Sequence, residues 1–308
     1  MSFMNLSVGI VGLPNSGKST LFNALLKRKI AAVAEYPFTT IEPNVGVVQV
    51  PDERLEKISR VTIIEKIVPA AVKFVDIAGL VKGAHKGEGL GNEFLGHIRD
   101  VDILIHLLRY YDIDLPSRND PIEDLQIVNL ELELAGIEKP TLYCLNITES
   151  KLKNSQVQEV IKKISQVTRQ NIDQIITLCA KLEAEIDELP ENEREAYLKE
   201  LGVDFKSGLK LDKIITNSYK LLNLITFFTI VGRKQVQAWS IRAGETALTA
   251  AGIVHTDMQK GFIRAEVISW QKLVEVGNWT AAHEQGLVKL VSKGYLLTDG
   301  DIIEFKFS

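Results

Sequence analysis

Gly12-Leu13-Pro14-Asn15-Ser16-Gly17-Lys18-Ser19 spells G-x-x-x-x-G-K-S, a set of residue types and spacings suited to gripping a polyphosphate. Gly12 and Gly17 let the backbone curl until its N–H groups point inward as an anion nest. A helix starting near Lys18 adds the positive end of its dipole. The Lys18 ammonium is expected to reach the β- and γ-phosphates, and the Ser19 hydroxyl to face Mg²⁺. Asn15, Ser16 and Thr20 complete this phosphate-binding set.

The neighbouring elements suit that chemistry. Residues 6–11 form a short apolar run with β-branched members, as a buried parallel strand requires, and residues 20–26 continue with helical spacing. Next comes a loop, AEYPFTTIEPN (34–44), broken by two prolines. There Thr40, rather than Thr39, is expected to join the Mg²⁺ shell when a γ-phosphate is present. Residues 45–50 and 70–75 read as strands, the second running into Asp76-Ile77-Ala78-Gly79. A D-x-x-G at the carboxyl end of a buried strand puts Asp76 beside the metal and the Gly79 N–H beside the terminal phosphate.

Leu80 follows, where many GTPases carry a glutamine that orients the attacking water, and leucine has no group to do so. Residues 80–94 contain four glycines and read as a mobile loop. Within it His85 has two readings, a solvated loop histidine or a catalytic group reaching the phosphates.

Residues 101–108 and 141–145 read as further strands, 121–135 as an amphipathic helix. After the second strand comes Asn146-Ile147-Thr148-Glu149, where GTPases usually carry N-K-x-D. Glu149 is a methylene longer than aspartate, and Ile147 removes the lysine that packs over the base. Both changes argue against strict guanine preference. Asn146 taken alone also reads as a cap on the strand-to-helix turn. A strand at 174–178 leads into Cys179-Ala180-Lys181, where such sites bring backbone groups to the base. Helices are expected at 153–169, 180–189, 194–201 and 209–222. The alternation describes an α/β domain, doubly wound around a mostly parallel sheet.

From residue 224 the texture changes. Residues 225–231, 236–241, 263–270 and 302–307 alternate like half-buried strands, with a short helix at 245–251. A compact α+β module results, with no catalytic constellation of its own; His255, Asp257 and Lys260 read as a solvated turn. The division expected is therefore 1–222 and 223–308.

The chain has 308 residues, 45% hydrophobic and 25% charged, enough for two packed domains. A net charge of −4 supplies no global drive towards nucleic acid or acidic membrane. Cys144 and Cys179 have no metal-site spacing and read as small buried hydrophobes. With no secretory leader pattern and no apolar run of membrane-spanning length, the chain is expected in the cytoplasm.

Taken together, GLPNSGKSTLFNAL (12–25), YPFTTIEPN (36–44), DIAGLVKGAHKGEGLGNEFLGHIRDVD (76–102) and DPIEDLQIVNLEL (120–132) resemble the YchF/Obg-like ATPase family. So do NITE (146–149), AAGIVHTDMQKGFIRAEVI (250–268) and DGDIIEFKF (299–307). The resemblance spans nearly the whole chain, and its C-terminal part looks like a ubiquitin-like TGS domain. It implies a P-loop NTPase that hydrolyses ATP in preference to GTP, with Asn146 and Glu149 matching the family's N-x-x-E and Mg²⁺ held by Ser19 and Thr40. It also implies a ribosome or ribosomal RNA as partner and, by likeness to related potassium-activated GTPases, K⁺ near Asn15. The charge and the lack of a spanning run give the expectation of neither membrane nor specific DNA binding. Two alternatives stay open, an Obg-type GTPase and a nucleotide-binding adaptor with negligible turnover. One departure is plain. The family inserts a long helical arm after the helix at 121–135, whereas here Gly136-Ile137-Glu138-Lys139 runs straight to Pro140, which weakens any partner contact the arm supplies.

Overall fold

A computed structural model of the chain describes residues 6–29, 44–77, 79, 90–111, 120–201, 210–232 and 234–308. They divide into two compact units, one comprising Leu6–Val48 and Val72–Leu221, the other built around Gln49–Ala71 and Leu222–Ser308.

The first unit is built on a six-stranded sheet in the order β2-β4-β1-β5-β6-β7. Its strands are β1 (Ser7–Val11), β2 (Val45–Gln49), β4 (Ala71–Asp76), β5 (Ile103–Tyr110), β6 (Thr141–Ile147) and β7 (Ile176–Leu178). From β4 through β7 every pairing is parallel. Every residue of β1 and the first six of β5 are buried, so both sheet faces are covered, as parallel sheets require. On one face Phe94, Leu95 and Ile98 of α3 (Leu90–Asp100) and Val128 of α4 (Pro121–Leu134) pack with Val11, Ile77 and Leu104. Further along, α5 (Gln156–Thr168) and α6 (Ala180–Glu188) close over β6 and β7 through Ile161, Ile164 and Ile186. Strand order reverses direction at β1, the switch point where open α/β sheets place their ligands.

The second unit carries its own six-stranded sheet, ordered β11-β10-β12-β8-β9-β3. Strands β8 (Leu224–Val231) and β9 (Gln235–Arg242) form a hairpin, and β12 (Asp301–Phe307) runs parallel to β8. Strands β10 (Phe262–Ser269) and β11 (Lys289–Val291) continue antiparallel. The helix Ala247–Val254 buries Ala247, Ala250 and Ala251 against Phe227, Ile241 and Phe305. The order β9-β8-β12-β10-β11 is that of the ubiquitin-like module expected from the sequence.

Four expectations need correction. The boundary at 222/223 leaves Gln49–Ala71 with the nucleotide-binding unit, but that segment folds into the other one. Here α2 (Glu53–Thr62) and β3 (Lys66–Val68) lie where no element was expected, and β3 adds itself in parallel to β9. Arg54 fastens the segment, pairing with Asp52 and Asp299 at 2.7 Å each and lying 5.3 Å from the Phe228 ring centre. The second correction concerns the loop expected at 80–94, since Leu90 already begins α3. Third, the strand at 141–145 extends to Ile147, which places Asn146 inside β6 rather than on a turn. Finally, Thr256–Lys260 is a short helix capped by His255, whose Nδ1 accepts the Asp257 N–H at 3.1 Å.

Candidate nucleotide site

Strand register delivers the candidate residues to one edge. Ile10 at the end of β1 is level with Asp76, the last residue of β4, and Arg109 near the end of β5 is level with Asn146 of β6. The loop Gly12–Ser19 leaves β1 between them and enters α1 (Lys18–Lys29). Both of its glycines are obligatory. A Cβ on Gly12 would stand 2.6 Å from the Leu107 carbonyl oxygen, and Gly17 adopts φ 89° with its missing Cβ against the Asn146 amide.

Inside the loop the Lys18 ammonium donates to the carbonyls of Gly12 and Leu13 at 3.2 and 3.1 Å. Burial lowers its pKa, with Arg109 adding to the fall and Asp76 opposing it. A Cβ on Gly79 would lie 3.2 Å from that ammonium, so the Gly79 backbone borders the same pocket. The Ser19 hydroxyl donates to Asp76 Oδ2 at 2.7 Å, while Asp76 Oδ1 is buried with no partner among the described residues. Ser16 is fully buried, and its Oγ likewise lacks a partner among them. Asn15 and Thr20 face solvent.

A second cluster ties the loop to the base side. Asn146 donates through Nδ2 to the Ser16 carbonyl at 2.9 Å and accepts the Ala180 N–H on Oδ1 at 3.0 Å. Tyr111 donates to the same Ser16 carbonyl at 2.7 Å and accepts from Asn146 Nδ2 at 2.7 Å. Carbonyl and N–H point in opposite directions across a trans peptide, so fixing Ser16 C=O turns the Gly17 N–H into the loop. Asn146 is therefore a bridge between the loop and the start of α6, not a turn cap.

Beside these residues opens a cavity of about 480 Å³ bordered by Thr20, Tyr111, Ile147, Glu149, Cys179 and Lys181. That volume falls within the range of small-ligand sites. Lys181 Nζ stands 3.8 Å from Glu149 and 3.5 Å from Glu185. Burial raises the pKa of the Cys179 thiol, keeping it a neutral wall. Thr40 and His85 lie outside the described residues, as do Thr39 and Leu80.

Two residues of the site escape sequence reasoning. Arg109 and Tyr111 close the apolar run of β5, and polar groups ending a buried strand are the signal that marks them.

A hard cation fits this arrangement: Ser19 and Asp76 present adjacent oxygens, and Asp76 Oδ1, with no partner among the described residues, is suited to a metal-bound water.

Residues 7–181 match a family model described as 50S ribosome-binding GTPase, and residues 224–308 match the YchF GTPase C-terminal family, described as a protein of unknown function. A protein of Bacillus subtilis (strain 168) named ribosome-binding ATPase YchF is 39% identical, over 99% of this chain and all of the relative. The chain belongs to the YchF family. An Escherichia coli O157:H7 relative of the same name is 37% identical with the same coverage. Among solved structures, a YchF GTPase of Schizosaccharomyces pombe superposes with a TM-score of 0.82 at 30% identity, covering 99% of both chains.

The Bacillus alignment runs over 370 positions against 308 residues, so at least 62 positions of that YchF protein face no residue here. The direct passage from α4 to β6 through residues 135–140 is in keeping with a missing insertion at this connection.

Proposed function

We propose that this YchF-family chain is a Mg²⁺-dependent ATPase, slow in turnover and acting as a cytoplasmic switch at the ribosome. The observation that carries the reading is the loop Gly12–Ser19 closed over Lys18, with Asp76 Oδ1, which has no partner among the described residues, beside the Ser19 hydroxyl. Names borne by the relatives support the ribosomal and ATPase parts.

Ser19 and Asp76, joined by Thr40, would hold Mg²⁺, which supplies charge neutralisation for the triphosphate when bound. Lys18 exchanges its two carbonyl acceptors for phosphate oxygens and, with the inward loop amides, stabilises charge as water displaces the leaving diphosphate. The Gly79 N–H reports the terminal phosphate. His85 is proposed to supply the polar group that Leu80 cannot, and Asn15 to help hold K⁺.

Both N–H groups of the Asn146 amide go to Ser16 and Tyr111, and Oδ1 accepts the Ala180 N–H with one lone pair to spare, so Asn146 shapes the base pocket and has no donor left for the base. Glu149 faces Lys181, whose ammonium competes for the carboxylate that guanine N–H groups would need. Adenine lacks that paired demand, which favours ATP, with Cys179, Ala180 and Lys181 bordering the base. Titration calorimetry of ATP against GTP tests this: tighter ATP binding is expected, and tighter GTP binding would return the chain to the Obg-type reading. Equal hydrolysis in KCl and NaCl would remove the K⁺ role of Asn15.

A further inference from the structure

We infer that Arg109 and Asp124 form a strut that presets the phosphate-binding loop for the terminal phosphate, making Arg109 a positioning residue; this rests on the triphosphatase reading. Arg109 forks onto the buried Asp124, Nε to Oδ2 at 2.8 Å and Nη2 to Oδ1 at 2.7 Å. The Arg109 backbone N–H also donates to Asp124 Oδ2 at 3.2 Å. A bidentate pair of this kind fixes the guanidinium plane, and a lysine has no equivalent geometry. The remaining nitrogen, Nη1, donates to the Pro14 carbonyl at 3.2 Å.

That last bond has a consequence for the cradle. Pro14 C=O shares a planar trans peptide with Asn15 N–H, so holding the carbonyl outward aims the amide the opposite way. Asn15 sits at φ 60°, a left-handed conformation that non-glycine residues adopt rarely and at a cost, and which builds anion nests. The strut offsets that cost before any ligand arrives. Its reach is local. A Cβ on Gly79 would stand 3.4 Å from Pro14 Cα and 3.2 Å from Lys18 Nζ, so the Pro14–Asn15 peptide lies at the Gly79 end of the cradle. Asn146 and Tyr111 hold the other end through Ser16. Arg109 therefore acts on the γ-phosphate side, and its loss is felt by triphosphates more than by diphosphates.

The test is calorimetric titration of wild type, Arg109→Gln, Arg109→Lys and Asp124→Asn with a non-hydrolysable ATP analogue and with ADP, at saturating Mg²⁺. Arg109→Gln is expected to weaken the analogue roughly tenfold and ADP by less than about threefold, the loss of one charge-assisted hydrogen bond. Asp124→Asn, nearly isosteric, reproduces the same selective loss, and Arg109→Lys fails to restore the analogue. Equal weakening of analogue and ADP would reduce the pair to a fastening between β5 and α4 and overturn the inference. Unchanged analogue binding in both Arg109→Gln and Asp124→Asn would also overturn it, leaving the triphosphatase reading intact. Failure of the wild type to bind the analogue would overturn both.

Discussion

Asp76 accepts the Ser19 hydroxyl on one carboxylate oxygen at 2.7 Å and keeps the other buried without a partner among the described residues. A buried, unmatched carboxylate oxygen costs stability unless a ligand completes it. If Mg²⁺ and its waters do so, Asp76→Asn raises the Mg²⁺ concentration for half-maximal ATP binding by about tenfold or more. Titrating Mg²⁺ at fixed nucleotide measures this; an unchanged midpoint would remove Asp76 from the metal site.

Lys18 is held in readiness at the expense of stability. Burial is the largest influence on it and lowers its pKa, so the folded chain disfavours the ammonium relative to water. Lys18→Met, similar in length but uncharged, is expected to stabilise the nucleotide-free protein by about 1 kcal/mol while abolishing ATP binding. Urea unfolding without nucleotide reads the first effect and calorimetry the second. A destabilised Lys18→Met would show that its two carbonyl bonds outweigh the burial.

Asn146 joins three groups from separate parts of the chain, and truncating it strands several of them. Asn146→Ala leaves the Ala180 N–H without its Asn146 acceptor and deprives the Ser16 carbonyl of one donor. The expected cost is about 1–3 kcal/mol of unfolding free energy. Nucleotide affinity falls as well, because Gly17 loses part of its orientation. Chemical unfolding with and without ATP separates the two effects.

His106 makes the fold acid-sensitive. Its ring is buried in β5, 5.7 Å from the Tyr143 ring, with neither nitrogen partnered among the described residues, and burial lowers its pKa to about 3. The unfolded chain takes up the proton near pH 6.5 while the folded one refuses it, so unfolding becomes easier as pH falls from 6.5 towards 3. Between pH 7 and pH 5 this group alone costs about 2 kcal/mol. His106→Leu should flatten that part of the stability profile; an unchanged acid slope would assign it to other groups.

Local features of the site were the ones legible in the sequence. Gly12 to Ser19 is contiguous, and its glycines, lysine and serine each answer to a local demand of the loop. Asp76 was legible because it terminates an apolar run, and the alternation of strands and helices carried the parallel sheet. Arg109 and Tyr111 were not, because their partners Asp124, Pro14 and Ser16 are set by register and packing rather than by spacing. The partners of Asn146 were hidden for the same reason, lying 130 and 34 residues away. The exchange of Gln49–Ala71 into the second unit depends on β3 meeting β9, a pairing that local periodicity cannot express. Helix α2 did leave a trace: Asp52 caps it, and Leu55 and Ile58 are buried three residues apart on one face.

Multiple-turnover phosphate release from Mg²⁺-ATP, wild type against Lys18→Ala, tests the central claim most directly. Steady release by the wild type and a loss of about a hundredfold or more in the variant is the predicted result, in proportion to removing a charge aimed at the transferring phosphoryl group. Equal rates in the two proteins would contradict it.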